Sequence, residues 1–266
     1  MNGTNKKKMR KYLNFIVSTL LVGSSLTVNA QGDNYRVKTI VIDPGHGGNK
    51  PGARGSFSTE KNVALEVALK LGKKFEEDMP DMKVLFTRKT DIDVDFLKRA
   101  AIANNAKADL FISIHCNSVA SSRARSTYGT ETFVAGLHRI DEQNVAIREN
   151  ADIKLEKNYK EKYDGYDPND PETFIILSLF RNNFRAKSTE IAKLIQSNYA
   201  KNERVNRGVK EQGLLILQRA GMPAVLTEIG FISNPAEEKY MNSESGQNEI
   251  VNAIFNAVKQ YKQQNE

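Results

Sequence analysis

The chain has 266 residues, 39% of them hydrophobic and 27% charged, which excludes a disordered or collagen-like chain and suffices for one sizeable core. Its 39 Lys+Arg against 32 Asp+Glu give a formal +7, but Lys6, Lys7, Lys8, Arg10 and Lys11 crowd the start, and beyond residue 30 the count falls to 34 against 32, or +2. That near-neutral remainder, with no stripe of aromatic and basic residues, argues against nucleic-acid binding.

The basic cluster leads into an apolar stretch from Leu13 to Leu26, about 14 residues, shorter than the ~20 that a membrane-spanning helix needs. Val28-Asn29-Ala30 follows as a small-x-small cleavage site. Residues 1–30 are therefore expected to be a signal peptide cut before Gln31, so that the protein is exported and meets a membrane only through that signal. The remaining segment, 31–266, has the length of one domain. The single cysteine, Cys116, cannot form an internal disulfide, which leaves stability to the core and to a metal.

Short apolar runs alternate with helical patterns along this segment. Thr39–Ile42, Val84–Thr87, Leu110–Ile114, Leu214–Leu217 and Ala224–Thr227 read as strands, mostly continuous in hydrophobicity, as expected when both faces of a sheet are covered. Thr130–Val134 reads as a strand with one exposed face. Val63, Val67, Leu71 and Phe75 define the inner stripe of a helix from about Glu60 to Glu77, ended before Pro80. Further helices are expected over Phe96–Asn105, Arg185–Ala200, Ala236–Met241 and Asn248–Tyr261. The alternation implies an α/β fold, a mainly parallel twisted sheet with helices on both faces. The stretch from about 137 to 184 breaks it: a charged helical pattern over Asp141–Lys157, a turn-rich loop over Tyr163–Pro171 and a short apolar helix around Phe174–Phe184 read as a helical insertion near the site.

Polar residues collect where the strands end. His46 lies in Asp43-Pro44-Gly45-His46-Gly47-Gly48, just beyond the first strand. His115 and Glu228 directly follow Leu110–Ile114 and Ala224–Thr227. The carboxyl ends of parallel strands share one edge, and ligands bind there. Glu60 opens the next helix fourteen residues after His46; Ser58 or Thr59 can cap that helix, leaving the carboxylate free to face the edge. Taken singly, His46 reads as a hydrogen-bonded loop residue and Glu60 as a first-turn acid facing the helix dipole. Glu228 sits in an apolar segment, where a carboxylate is seldom buried without a partner or a task. Two His and one Glu form a known catalytic ligand set for zinc with a fourth position open.

Six segments in register resemble the zinc-dependent N-acetylmuramoyl-L-alanine amidases that act on peptidoglycan: Asp43–Gly48, Glu60-Lys61-Asn62, Thr87-Arg88-Lys89-Thr90-Asp91, Ala108–Asn117, Arg207-Gly208-Val209-Lys210 and Met222–Pro235. The likeness runs from about Lys38 to Tyr261. It implies zinc ligands at His46, Glu60 and His115, one Zn2+ per chain, a catalytic acid/base at Glu228, and as substrate the amide between the lactyl group of N-acetylmuramic acid and the first L-alanine of the stem peptide. Cys116, where many relatives carry Ala, is expected to be a buried small residue rather than a nucleophile. Relatives that act in cell separation carry an insertion placed like 137–184, which in some covers the zinc and supplies an inhibitory carboxylate. Glu149, in Arg148-Glu149-Asn150-Ala151, is the matching candidate; a solvated helix face is its alternative. The resemblance further implies a periplasmic or cell-wall location and a protein activator that displaces the insertion. His138 is left out of the metal set. A non-catalytic wall-binding protein would have lost ligands that this chain keeps, and a wall carboxypeptidase or sugar deacetylase would keep the metal and cut another bond.

Overall fold

The computed structural model describes residues 36–136, 143–163, 165–167 and 183–266. The leader at 1–30, His138 and most of the expected helix around Phe174–Phe184 lie outside the described residues.

Six strands form one sheet among the described residues: β1 (Thr39–Pro44), β2 (Lys83–Phe86), β3 (Leu110–Asn117), β4 (Thr130–Ala135), β5 (Asn206–Gln212) and β6 (Ala224–Phe231), in the order β2-β1-β3-β6-β4-β5. β1, β2, β3 and β6 run parallel, whereas β4 is antiparallel to β6 and parallel to β5. The mainly parallel α/β reading therefore holds. Alternation along the strands divides the core in two. Ile40, Ile42, Ile112, Ile114, Val225 and Ile229 pack on one face against α1 (Glu60–Asp78), α6 (Arg185–Lys201) and α9 (Glu244–Gln264). Val41, Phe111, Phe133 and Leu226 face the other way, against α2 (Phe96–Asn105), α7 (Leu215–Gln218) and the insertion residues Ala146, Ile153 and Tyr163. The sheet is bracketed by three smaller helices: α3 (Ser121–Ala124), α5 (Tyr159–Lys162) and α8 (Pro235–Met241).

Several expectations need correction. Leu214–Leu217 is not a strand: the run enters α7 and buries all four residues, since a four-residue apolar run has no period that separates helix from strand. The strand in this region is β5, which starts eight residues earlier in polar sequence. β4 has no exposed face, because all six of its residues are buried between β6 and β5 and beneath α6. The charged pattern Asp141–Lys157 is not one helix: α4 (Asn144–Asn150) gives way to a 3-10 turn at Ala151–Leu155. Helix α1 starts after Thr59 without any side-chain cap, because Ser58 Oγ donates to Glu238 instead, 2.8 Å away. β3 and β6 extend beyond their expected ends, so His115 and Glu228 lie within the strands, paired in register.

Candidate metal centre

His46 is held in place by its backbone. It takes a left-handed φ of 57°, uncommon for a side chain with a Cβ, and two arginines fix the loop around it. Arg88 donates to the carbonyls of Pro44, Gly45 and Lys61. Arg99 donates to Pro44 O and His46 O and, through Nη1, to Asp43 Oδ1 at 2.8 Å. Glu60 reaches the same place from the start of α1, its oxygens accepting from Ala53 N (2.8 Å) and Cys116 N (2.9 Å). Gly52 makes room: a Cβ there would lie 2.5 Å from the His46 ring and 2.6 Å from Glu60 Oε2. His115 comes from β3, its ring edge-on to His46 with centroids 4.9 Å apart.

A fourth donor comes from the insertion. Glu149 Oε2 lies 2.9 Å from His115 Nδ1 and 3.2 Å from His46 Nε2. Glu60 Oε1 lies 2.9 and 3.1 Å from the same two atoms. The ligand atoms of His46, Glu60, His115 and Glu149, all buried, fall within 4.8 Å of one another. His46 Nε2 and Glu149 Oε2 nevertheless make no well-directed hydrogen bond. His115 Nδ1 and Glu60 Oε1 do share one at 2.9 Å; buried donors crowded together with two of them unpartnered suit a common cation, and two imidazoles with carboxylates match zinc. Asp152, from the 3-10 turn after α4, accepts from His46 Nδ1 at 2.7 Å, the outer contact that fixes the ring of a ligating histidine.

Electrostatics bind these groups tightly. Burial disfavours a charged His115, but Glu149 and Glu60 outweigh it and raise the group to about 9. Burial likewise raises Glu60, yet the two histidines hold it at about 2. Glu228, fully buried, goes the other way: burial pushes it well above the carboxylate range, Glu149 and Glu60 add to that, and Arg148 opposes. Arg148 joins the groups, with Nε to Glu149 Oε1 at 2.8 Å, Nη2 to Glu228 Oε1 at 3.0 Å and Nη1 to Asn117 Oδ1 at 2.9 Å. Glu228 Oε2 has no hydrogen-bond partner. Cys116 is buried in the core on the opposite face, its thiol pushed well up by burial.

All five residues singled out in the sequence thus meet in one place. Missed were Asp43, Arg88, Arg99, Asp152 and the role of Arg148. Asp43, Arg88 and Arg148 stand inside motifs that the sequence reading quoted, but nothing in the sequence pairs them with partners 30 to 80 positions away.

Over most of its length the chain is similar to known proteins of one family. A family model described as N-acetylmuramoyl-L-alanine amidase matches residues 40–260. A putative N-acetylmuramoyl-L-alanine amidase of Buchnera aphidicola is 32% identical over 233 residues, covering 84% of this chain and 94% of the relative. The crystal structure of an N-acetylmuramoyl-L-alanine amidase from Clostridium difficile 630 superposes with a TM-score of 0.63 at 27% identity, covering 85% of this chain and 97% of that one. The amidase CwlD of Clostridioides difficile, in complex with the GerS lipoprotein, gives 0.62 at 25% identity, over 84% and 98%.

Proposed function

The chain belongs to the N-acetylmuramoyl-L-alanine amidase family and is a peptidoglycan amidase acting in cell-wall remodelling; from that premise we propose that it works with zinc held by His46, Glu60 and His115, and that Arg148 and Glu149 close the site at rest. The observation that carries this reading is the convergence of four buried donors beside Glu228.

Zinc, when bound, supplies Lewis acidity that polarises the amide carbonyl and eases deprotonation of the attacking water. The rest of the chemistry falls to the chain. Glu228 takes a proton from the water as its oxygen adds to the lactyl carbonyl carbon. As the C–N bond breaks, Glu228 returns that proton to the alanine nitrogen, releasing a stem peptide with a free amine. Glu228 Oε2 is buried and makes no hydrogen bond, which leaves that oxygen to take the proton. Asp152 keeps the His46 ring turned toward the site.

In the closed arrangement Glu149 occupies a ligand position and Arg148 ties up one oxygen of Glu228. A substrate carbonyl has no way in until α4 withdraws. A protein partner that draws α4 away would therefore activate the enzyme; a similar amidase, CwlD, has been solved in complex with a lipoprotein, GerS. Daughter-cell separation is the setting such control suits. Export through residues 1–30 to the periplasm or wall completes the proposal, and no helix of the described residues is long and apolar enough to cross a membrane.

Purified chain loaded with zinc and incubated with peptidoglycan is the test. Stem peptides beginning with L-alanine should be released, rather than acetate or terminal D-alanine. Glu228→Gln should keep one zinc per chain and lose about 10²–10⁴-fold in turnover. Glu149→Ala should raise turnover about tenfold, the equivalent of ~1.4 kcal/mol of closure removed. Unchanged activity in either variant refutes the role given to that residue.

A further inference from the structure

Beside Arg148 opens a groove of about 930 Å³. We infer that it recognises free carboxylates on the stem peptide, with Arg207 and Lys210 as its specificity-determining pair. The inference rests on the amidase reading and assigns one arm of the substrate to one wall of the site.

The groove opens on the face of the sheet that carries His115 and Glu228, because Glu131 of its wall pairs in register with Glu228, which pairs with His115, and paired residues share a face. Glu131 and Phe133 of β4 point into it. On β5, Arg207 and Lys210 are three positions apart, so regular alternation would send them to opposite faces. A bulge prevents that. Thr130 pairs with Asn206 but Thr132 pairs with Val209, so two β5 residues face Glu131, and Gly208 absorbs the irregularity at φ +93°. Arg207 then stands opposite Glu131 and Lys210 opposite Phe133, both toward the groove. Val209, just before Lys210, packs against the core that holds Ile191 and Val225 and also borders the groove.

Both cations are positioned yet incompletely neutralised. Arg207 Nε and Lys210 Nζ share one carboxylate oxygen, Glu131 Oε1, at 2.9 and 2.7 Å. The guanidinium of Arg207 also lies over the Phe231 ring, 5.1 Å from its centre. Glu131 Oε2 is taken by Asn117 Nδ2 at 2.8 Å. Two positive charges on one carboxylate leave a surplus of one. Arg123 adds another from the facing wall. The side chains of Arg207 and Lys210 remain 37% and 47% exposed, so an incoming anion can reach their remaining donors.

The surplus decides which arm of the substrate lies here. The bond to be cut joins an uncharged glycan to a peptide. Two sugars would bring no charge to such a wall, whereas stem-peptide carboxyl groups, where not amidated, bring charges that Arg207 can hold in a forked pair of bonds. The groove is also large enough for several residues of an extended peptide. The second cavity near the site, lined by His46, Lys50 and Ile216, has only about 10 Å³ and admits neither arm. A continuous polar chain, Arg207–Glu131–Asn117–Arg148–Glu228, links the carboxylate wall to the catalytic carboxyl.

The test measures binding by the intact chain, independent of turnover. A dye-labelled stem peptide beginning with L-alanine and carrying free carboxylates is compared, by fluorescence anisotropy, with the same peptide bearing carboxamides. The acid form should bind about tenfold more tightly at low salt, and the difference should shrink as salt rises. Arg207→Gln should abolish the preference, and Arg207→Lys should restore part of it. Glu131→Gln should act with the opposite sign, strengthening the acid form by removing the internal competitor; mere structural damage would weaken both. Equal affinity for the two peptides, no binding of either, or an undiminished preference in Arg207→Gln overturns the inference. Failure to release stem peptides from peptidoglycan would instead strike at the amidase reading, leaving the binding result to stand or fall separately.

Discussion

Asp43 accepts hydrogen bonds from Thr87 Oγ1 of the segment after β2, from Ser113 Oγ of β3 at 2.7 Å and from Arg99 Nη1 of α2 at 2.8 Å. Three elements are thereby tied to the residue from which the His46 loop departs. Burial raises its carboxyl, but Arg99 and the two hydroxyls outweigh that and hold it below the usual aspartate value of 3.8. A depressed folded value contributes stability that is complete above the unfolded pKa and is lost as pH falls through the folded one. Asp43→Asn should therefore unfold more easily at pH 7 by about 3 kcal/mol, the cost of stripping a buried charge of its partner. The gap between variant and parent should begin to narrow below about pH 3.8 and close as pH falls past the lower folded value; urea titrations at pH 7 and pH 3 check this, and a gap that is constant across the two would show that Asp43 is not acting as a charge. At this scale the sequence was readable wherever chemistry and strand position coincide: His46, His115 and Glu228 each follow an apolar run of a parallel strand, although His115 and Glu228 prove to lie inside β3 and β6, and the family likeness added Glu60. The supports around them were silent, because Arg88 or Arg99 reads as an ordinary surface charge until the fold carries it under the loop.

Helix α4 is packed in place, and the proposed opening requires it to leave those contacts. Ala146 is buried against Phe133 and Leu215, and Asn150, fully buried, donates to Gly213 O at 2.8 Å and accepts from Leu215 N at 3.1 Å. Asn150 also explains why the charged pattern stops being an α-helix there: its side chain is committed to the loop before α7 rather than to solvent. Downstream, Glu156 accepts from Lys50, Lys162 and Tyr163, a buried anchor that would hold the far end if α4 swung out. Asn150→Ala would leave Gly213 O and Leu215 N without those bonds, costing about 1–3 kcal/mol, with the loss falling on the closed state. Amides of α4 should exchange with solvent faster and basal peptidoglycan hydrolysis should rise; unaltered protection and rate would mean that Asn150 does not latch the insertion. The same scale holds the sequence's failures. Four apolar residues at 214–217 carry no period that tells strand from helix, and β5 hid because an edge strand that lines a charged groove shows neither alternation nor hydrophobicity.

Across the whole molecule, the candidate metal centre draws on distant parts of the chain: the loop after β1, β3 and the start of α1 supply His46, His115 and Glu60, while α4 and the 3-10 turn after it supply Glu149 and Asp152. The fold class was legible because continuous apolar strands alternate with amphipathic helices, whereas the meeting of these parts depends on contacts more than 100 residues apart, such as that between His46 and Asp152. A cation at this junction should bind the folded chain alone and raise its stability by mass action, ~2.7 kcal/mol at a hundredfold excess over its dissociation constant, or roughly 5–10 °C in Tm for a domain of this size. Closure and catalysis then separate. Glu149→Ala removes a donor, so the shift on adding zinc should be smaller by about 3–5 °C even though its turnover rises. Glu228→Gln leaves the four donors intact and should keep the full shift while turnover disappears. Calorimetry of the parent and both variants, with and without zinc, reads the two effects apart. If Glu149→Ala gained as much from zinc as the parent did, Glu149 would block the site without ligating the metal, and closure would rest on the bond from Arg148 to Glu228.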